Sequence, residues 1–228
     1  MRVAKDGVVR REEFLDVSLR LLNEKGYDET TVNDIIEAIG VSKGAFYYYF
    51  SSKEDVIKAI AAQQAQPMID IARQAADDPT LNGLEKLNKL IDGIYEYRAA
   101  RTRRGEGPHR VSRHAGNARL RYTIEETVME MARPAICSII EQGVAEGLFD
   151  TGFPEEAAEM YIRLASILRD TINLLIVAAD GKSIDADLVK RKTLFFEDAL
   201  ERILGAKKGS IKLVDAVMRF VSGVTPAP

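Results

Sequence analysis

The stretch GVSKGAFYYYFSSKE, residues 40–54, decides the fold of the chain and raises the first question about its function. It contains a run of consecutive aromatic residues. Successive side chains of a helix point about 100° apart, so these adjacent rings cannot all face one core. Phe46 and Phe50 are four residues apart and can share an inner face, which leaves Tyr47 and Tyr48 pointing outward.

The residues around this run predict two short helices joined by a tight turn. Thr31, with Asp34 three residues later, is placed to cap the first helix, and Gly40 is placed to end it in the left-handed conformation. Ser42 is placed to cap a second, very short helix that runs to about Tyr48. Two helices of these proportions form the helix-turn-helix, whose second helix enters the major groove of DNA.

The rest of the chain also predicts helices. Apolar residues recur at three- and four-residue spacing and no strand pair is evident, so we predict an all-α fold. We place a three-helix helix-turn-helix domain at 1–51, a connecting helix at 52–76 and a larger helical domain at 77–228. Further helices are predicted at about 10–25, 81–104, 113–145, 154–179 and 185–204, with a kink or break at Pro134 and a short amphipathic tail after 205–209 that packs on the body or on a partner.

Composition indicates ordinary globular material. Of the 228 residues, 46% are hydrophobic and 29% are charged. No run of 18 or more apolar residues and no signal-peptide pattern occurs, so we expect a cytoplasmic protein without a membrane span. The single cysteine, Cys137, excludes an internal disulfide and is expected to fill the core.

Charge is distributed unevenly although the net charge is only −3. Between Glu37 and Glu54 the only charged residues are Lys43 and Lys53, which makes this stretch a small positive island. An arginine-rich segment at 98–121 is a second island, which either flanks an anionic ligand such as an acyl thioester or forms an exposed basic loop. Its arginines are Arg98, Arg101, Arg103, Arg104, Arg110, Arg113, Arg119 and Arg121. The N-terminal arm, with Arg2, Lys5, Arg10 and Arg11, either reaches DNA or is a solvated tail.

The short helix carries the groups that DNA contacts require. A tyrosine ring packs on sugar and base edges while its hydroxyl binds a phosphate oxygen, and the free amides at helix starts also bind phosphate. Lys43 adds a cation that can donate to guanine O6 and N7. Gly44 lets the backbone approach DNA closely, and Lys53 can anchor a flanking phosphate. Tyr49 fits a core position and a surface position equally well.

The segment TTVNDIIEAIGVSKGAFYYYFSSKEDVI, residues 30–57, resembles the TetR family of bacterial transcriptional repressors. Ala45 departs from the family pattern, because many members carry Thr or Ser at this position. The hydroxyl that could contact a phosphate there is therefore absent. The resemblance implies a ligand-responsive regulator, most often a repressor, that binds a palindromic double-stranded DNA operator as a homodimer and is released by a small-molecule inducer. It assigns base or adjacent backbone contacts to Lys43, Gly44 and Tyr47, and phosphate contacts to Thr31, Ser42, Tyr48 and Lys53.

The resemblance also makes 77–228 the ligand-binding and dimerisation domain. The candidate ligand-binding residues are Leu90, Ile94, Tyr97, Tyr122, Met129 and Ile172, and plain core packing is the alternative for each of them. The last two long helices are expected to pair with their twofold mates as a four-helix bundle, with internal core as the alternative. The candidate interface residues are Met160, Leu164, Ile167, Leu168, Leu175, Phe195, Ala199 and Ile203.

Two rival functions are considered. An enzyme is poorly supported, because His109 and His114 lie in no metal-binding pattern and no phosphate-binding glycine loop is present. We therefore expect no catalytic residues, no metal and no cofactor. The other rival is a helical protein-interaction adaptor that retains the fold without sequence-specific DNA binding, and the presence of Lys43, Tyr47 and Lys53 argues against it.

Overall fold

The computed structural model describes residues 7–104, 115–179 and 184–224. Within these ranges the regular elements are helices and no strand occurs, which confirms the all-α prediction. The helices are α1 (Gly7–Lys25), α2 (Val32–Ile39), α3 (Lys43–Tyr49), α4 (Lys53–Ala76), α5 (Gly83–Arg103), α6 (Ala118–Ala145), α7 (Pro154–Ala178), α8 (Ala186–Leu204) and α9 (Leu213–Val224), and a 3₁₀ turn at Ala115–Asn117 precedes α6.

Contacts divide the chain into two compact units. The first unit takes in 1–66 and 109–127, and the second takes in 67–108 and 128–228. The described part of 109–127 is therefore grouped with the N-terminal helices, although the sequence places it in the larger domain. The division into 1–51, 52–76 and 77–228 stays a prediction about domains.

The first unit is built around Phe14 of α1. Its ring lies 5.8 Å from the ring of Phe46 and 5.8 Å from that of Phe50, both in edge-on arrangements. All three side chains are fully buried. Leu120, from the start of α6, is buried in the same cluster. Edge-on aromatic pairs add to the stabilisation that burial provides, so α1 and α3 are held together at a defined angle.

The second unit is a bundle in which α9 packs against α5 and α8, and α8 packs against α7. The C-terminal tail thus packs on the body of its own chain, one of the two outcomes that the sequence left open. Phe220 and Val217 of α9 are buried there together with Leu87 and Leu90 of α5.

Small residues let two helices of this unit approach closely. A β-carbon on Gly83, at the start of α5, would lie 2.4 Å from the backbone nitrogen of Gly143 in α6. A β-carbon on Gly143 would in turn lie 2.2 Å from the ring of Phe149. Gly83 is therefore required, because its β-carbon would meet backbone atoms, which cannot move away as the end of a side chain can. At Gly143 a β-carbon would displace the ring of Phe149, which is itself buried.

Of the kink or break predicted at Pro134, the break is wrong, and the kink stays a prediction. Helix α6 continues through this residue from Ala118 to Ala145. Proline removes one backbone donor and crowds the preceding turn. Ala132 and Ile136 on either side are 2% and 3% exposed, so burial of both flanks holds the helix together across the missing hydrogen bond.

Several residues discussed from the sequence lie outside the described ranges. They are Arg2 and Lys5 of the N-terminal arm, the predicted loop at 105–108, Arg110 and Arg113 of the arginine-rich segment, and His109 and His114.

Candidate nucleic-acid interface

The aromatic run divides between the core and the surface, as the spacing predicts. Phe46 and Phe50 are 0% and 1% exposed, whereas Tyr47 is 50% and Tyr48 is 82% exposed. Tyr49, for which the sequence allowed a core or a surface position, lies at the edge of the core. Its ring is 5.5 Å from that of Phe14 and its side chain is partly buried. Helix α3 therefore presents two exposed phenols on the side away from the core.

The turn between α2 and α3 is fixed by local hydrogen bonds. The Thr31 hydroxyl accepts from the Asp34 amide, and the Asp34 carboxylate accepts from the Thr31 amide at 2.7 Å, which completes a capping box. Gly40 has φ of +72°, and its amide donates to the carbonyls of Glu37 and Ile36. A residue with a β-carbon is strained at this φ, so glycine sets where α2 stops.

The Asp34 carboxylate has a second role outside the cap. It accepts from Lys25 Nζ at 2.8 Å and from the Thr31 hydroxyl at 2.6 Å. These hydrogen bonds, with that to Lys25 the largest influence, hold the pKa of Asp34 well below its usual range. The end of α1 is thereby connected to the start of α2, and the Thr31 hydroxyl proton is already donated within the chain.

The start of α3 keeps its donors available. The Ser42 hydroxyl accepts from the Ala45 amide at 3.2 Å, which leaves its own proton to donate elsewhere. Lys43 and the hydroxyls of Tyr47 and Tyr48 have no hydrogen-bond or ion-pair partner in the described ranges. An exposed ammonium, two phenols and a serine hydroxyl thus surround one helix start, and all of them can donate to phosphate or base-edge acceptors.

Gly44 is not required by the internal structure. A β-carbon there would meet only the Ser42 hydroxyl oxygen, at 4.0 Å, and the residue lies inside α3 without a left-handed φ. Glycine in a helix costs about 0.5–1 kcal/mol relative to alanine. The fold would accept a larger residue, so a reason for glycine has to be sought in what approaches α3 from outside.

Lys53, at the start of α4, binds the connection between α1 and α2. Its ammonium donates to the Tyr27 carbonyl at 2.8 Å and to the Thr30 carbonyl at 2.9 Å. It also lies 4.0 Å from the centre of the Tyr27 ring. An ammonium has three protons, so one remains for the phosphate that the sequence assigned to this residue.

The start of α6 completes this unit, and sequence reasoning missed it. The Tyr27 amide donates to the Gly116 carbonyl at 3.3 Å, and the Asn117 side-chain amide donates to the Leu22 carbonyl at 2.9 Å. Leu120 and Asn117 are both fully buried. No local signal marks these residues, because their partners lie about 90 positions earlier in the chain.

A charged cluster closes the same junction. The Tyr27 hydroxyl donates to Glu54 at 2.6 Å, the Arg119 guanidinium lies 3.9 Å from that carboxylate, and it also lies 5.1 Å from the centre of the Tyr27 ring. The hydrogen bond from Tyr27 lowers the pKa of Glu54, whereas burial and then Glu54 raise the pKa of Tyr27. Both shifts favour the ion–phenol pair at neutral pH, since the carboxylate stays charged and the phenol stays protonated.

Comparison with known proteins agrees with this geometry. Residues 14–60 match the family model described as bacterial regulatory proteins, tetR family. This range contains α2, the turn, α3 and the aromatic core beneath them. The match to the family covers this N-terminal segment of the chain.

Curated relatives support the assignment mainly through the N-terminal third. The biofilm operon negative transcriptional regulator IcaR of Staphylococcus epidermidis is 29% identical over 87 residues, which is 38% of this chain and 42% of that protein. The uncharacterized regulator YvaF of Bacillus subtilis is 34% identical over 35% of this chain and 42% of its own length. The chain thus spans about two fifths of these relatives. The transcriptional repressor KstR2 of Rhodococcus jostii is 27% identical over 68% of this chain and 74% of that repressor.

Solved structures extend the likeness in fold to most of the chain. A SmeT–triclosan complex superposes with a TM-score of 0.66 at 18% identity, and covers 89% of this chain and 94% of the other. SmeT is the repressor of a Stenotrophomonas maltophilia multidrug efflux pump. FadR from Bacillus subtilis, in complex with stearoyl-CoA, has a TM-score of 0.57 at 21% identity over 86% of this chain and 98% of its own.

The residues that the sequence proposed for ligand binding fall in both units. Leu90 and Ile172 are buried in the second unit, where Ile94, Tyr97 and Met129 are partly buried. Tyr122 belongs to the first unit and is 64% exposed. The structure therefore brings the other five into one unit and sets Tyr122 apart from them.

The residues proposed for dimerisation lie on α7 and α8, and most of them keep apolar surface exposed. Met160, Ile167 and Phe195 are exposed, and the partly buried members are Leu164, Leu175, Ala199 and Ile203. Leu168 is 1% exposed, so its side chain is packed inside its own chain. Leu174, which the sequence prediction omitted, is 70% exposed.

Neither a metal cluster nor a membrane-spanning helix occurs in the described residues. They contain no group of His, Cys, Asp and Glu side chains placed to hold a metal ion. None of the helices in the described ranges is both long enough and apolar enough to span a membrane. Cys137 is buried in α6, and burial raises the pKa of its thiol.

Proposed function

We propose that this protein is a transcriptional regulator of the TetR family, most often acting as a repressor, that binds a palindromic DNA operator as a homodimer and is released by a small-molecule effector. The proposal rests on the start of α3. There Lys43 and the hydroxyls of Tyr47 and Tyr48 are exposed beside Gly44 and have no hydrogen-bond or ion-pair partner in the described ranges. These exposed donors make no hydrogen bond or ion pair that stabilises the fold. A DNA phosphate group beside a base edge offers acceptors for all of them.

The roles divide according to what each side chain already binds. Lys43, Gly44 and Tyr47 are proposed to meet base edges or the adjacent backbone, while Ser42 and Tyr48 are proposed to donate to phosphates. Thr31 and Lys53 keep their proposed phosphate contacts, but they act partly through capping and helix packing, since each already has partners within the chain.

The homodimer is proposed to form through the exposed apolar face of α7 and α8. Met160, Ile167 and Leu174 recur at seven-residue spacing along α7, so they lie along one side of the helix. Phe195 on α8 is 69% exposed. Exposed apolar side chains in this number on two neighbouring helices indicate a protein interface. The resemblance to the family makes the partner a second copy that forms a four-helix bundle.

Release by an effector is supported by what the similar structures contain. Two of them are complexes with a small molecule, triclosan with SmeT and stearoyl-CoA with the FadR of Bacillus subtilis. A ligand that binds the conformation unable to fit DNA shifts the population away from the operator. The larger unit of this chain is the proposed site of such binding.

The test is selection of bound duplexes from a random DNA pool, followed by titration of the selected duplex in rising salt. We expect a palindrome, and a steep loss of affinity with salt that reflects on the order of 6 to 10 neutralised phosphates per dimer. Gly44→Ala is the decisive variant. We expect its stability to match or exceed that of the wild type by up to about 1 kcal/mol, and its operator affinity to fall by about tenfold or more.

Gly223→Ala is the matched control for this variant, because Gly223 also lies in a helix with open space around its β-carbon position. Gly223→Ala should not lower the stability, and it should leave the operator affinity unchanged. Lys43→Gln should lower the salt slope by about one unit per chain, and Lys192→Gln on α8 should leave it unchanged. Failure to enrich any duplex, or full operator binding by Gly44→Ala, would sink the assignment of α3 and favour the protein-interaction adaptor.

A further inference from the structure

Arg98 lies at a point in the second unit where three helices meet. It belongs to α5, and its Nη2 donates to Asn173 Oδ1 on α7 at 2.9 Å. The guanidinium lies 4.6 Å from the centre of the Phe220 ring on α9 and 5.2 Å from that of Tyr95 on α5. Aromatic faces and one neutral amide therefore hold this cation in position.

No carboxylate in 7–104, 115–179 or 184–224 forms an ion pair with Arg98. Burial lowers the pKa of its guanidinium and Arg169 lowers it further, whereas Tyr95 and Asp170 oppose the shift. The Asp170 carboxylate accepts from Arg169 Nε at 3.0 Å and so already has a cationic partner. A largely buried cation without a direct ion-pair partner is costly, since water and more distant charges compensate its charge only in part.

Further donors lie beside this cation. Tyr95 is buried, and burial raises the pKa of its hydroxyl, which therefore keeps its proton at neutral pH. Asn173 gives its side-chain oxygen to Arg98, so its amide protons point elsewhere. The cluster is rich in donors and poor in acceptors.

The surroundings of the cluster are apolar. Ile172, next to Asn173, is 1% exposed, and Phe220 is 2% exposed. Arg98 itself keeps part of its surface accessible. A ligand with an anionic end and an apolar body would neutralise the guanidinium and fill the apolar surroundings at the same time.

We propose that Arg98 and Asn173 bind the anionic group, a carboxylate or a phosphate, of an effector whose remaining body is apolar. This inference rests on the proposed function, because it names the class of the effector. It also selects one arginine from the arginine-rich segment, and it favours the anionic ligand over the exposed basic loop for that arginine. Asn173 and Phe220 are distant from Arg98 in sequence and gave no sign of this role.

The test compares two fluorescent probes that differ by one charged group. The anionic probe is 8-anilinonaphthalene-1-sulfonate, and the neutral probe is N-phenyl-1-naphthylamine, which has the same rings without the sulfonate. We expect saturable binding of the anionic probe to the wild-type protein, at least about tenfold tighter than that of the neutral probe, as a charge-assisted hydrogen bond provides.

Variants assign the preference to Arg98. Arg98→Met removes the charge and keeps an apolar stem, so it should abolish the preference for the anionic probe and leave the neutral probe unaffected. Arg98→Lys should retain part of the preference. Arg202→Met is the matched control, because Arg202 is an exposed arginine of the same unit paired with Asp198. It should bind both probes as the wild type does.

Competition separates the two sources of the anion. Decanoate offers a carboxylate, decyl phosphate and decanoyl-CoA offer phosphate groups, and decanol offers neither. Displacement of the anionic probe by either class of anion, but not by decanol, supports the proposal and identifies the group. Equal binding of the two probes, no binding of the anionic probe, or an unchanged preference in Arg98→Met would overturn it.

Operator binding is measured on the same samples. Normal operator binding by Arg98→Met shows that the variant is folded. A wild type that binds the operator without preference for the anionic probe would refute this inference and leave the proposed regulator in place. A protein that binds the anionic probe through Arg98 but selects no DNA would refute the proposed function and leave the anion site in place.

Discussion

Leu120 tests whether the start of α6 is part of the unit that presents α3. Its side chain is 0% exposed and belongs to the same core cluster as Phe14 and Phe46. The sequence placed this residue in a different domain. If the grouping in the structure is right, Leu120→Ala should destabilise the helices that present α3, although they lie far earlier in the chain.

The magnitude follows from complete burial of the side chain. Leucine to alanine removes three carbon atoms, and at about 0.8 kcal/mol for each buried methylene the transfer term alone is about 2.4 kcal/mol. The cavity left in a packed core adds to this, so we expect a total loss of about 3–5 kcal/mol. The free energy of unfolding of a small domain is about 5–15 kcal/mol, so the expected loss is a large fraction of the total stability.

Urea unfolding followed by circular dichroism measures the effect, and amide hydrogen exchange assigns it to α1–α4. With an m-value of about 2 kcal/mol/M, a loss of 3 kcal/mol lowers the midpoint by about 1.5 M for that unit. Tyr122→Ala is the control, since Tyr122 is 64% exposed on the same helix and its loss should change stability by no more than about 0.5 kcal/mol. A loss below about 1 kcal/mol in Leu120→Ala, or one confined to the second unit, would refute the reasoning.

Three further predictions concern single side chains. Tyr48→Ala should leave the urea midpoint unchanged and weaken operator binding, whereas Tyr49→Ala should lower the midpoint, because only Tyr49 packs against the core; equal midpoints would contradict this. The pKa of Asp34 is lower in the folded protein than in the unfolded chain, so its contribution to stability is present above about pH 4 and is lost as the pH falls further. Thermal melts at pH 2–7 should show a shallower acid-side loss for Asp34→Asn, and an unchanged profile would argue against the pairing with Lys25. Phe195→Glu should produce monomers in analytical ultracentrifugation with operator affinity reduced, and an intact dimer would exclude this face as the interface.

The sequence was sufficient for the part of the fold that depends on near neighbours. Thr31 and Asp34 are three residues apart, and Gly40 acts on the turn it lies in, so each could be assigned from spacing. The inward pairing of Phe46 and Phe50 follows from the helical repeat in the same way. Each of these features depends on residues within one or two turns, which is the range over which residue types and periodicity carry information.

The sequence was insufficient where partners come from distant parts of the chain. The Asn117 side chain meets the Leu22 carbonyl, and Arg98 meets Asn173, across separations of 95 and 75 positions. Nothing in the local pattern of a polar residue on a helix says which distant helix will pack against it. Continuation of α6 through Pro134 has the same origin, because burial of both flanks outweighs the local preference to break.

The same distinction divides the predicted DNA contacts into two sets. Lys43 and the hydroxyls of Tyr47 and Tyr48 have no hydrogen-bond or ion-pair partner in the described ranges, so these donors are available to something outside the chain. Thr31 and Lys53 are bound to their own neighbours, and this bonding holds α2 and α4 where α3 needs them. A protein that reads DNA with one short helix requires both sets, because donors can favour one base sequence over another only if the helix that carries them is held rigidly. Replacement of a residue in the first set should therefore change the affinity for DNA and leave the stability of the protein unchanged. Replacement of a residue in the second set should change both.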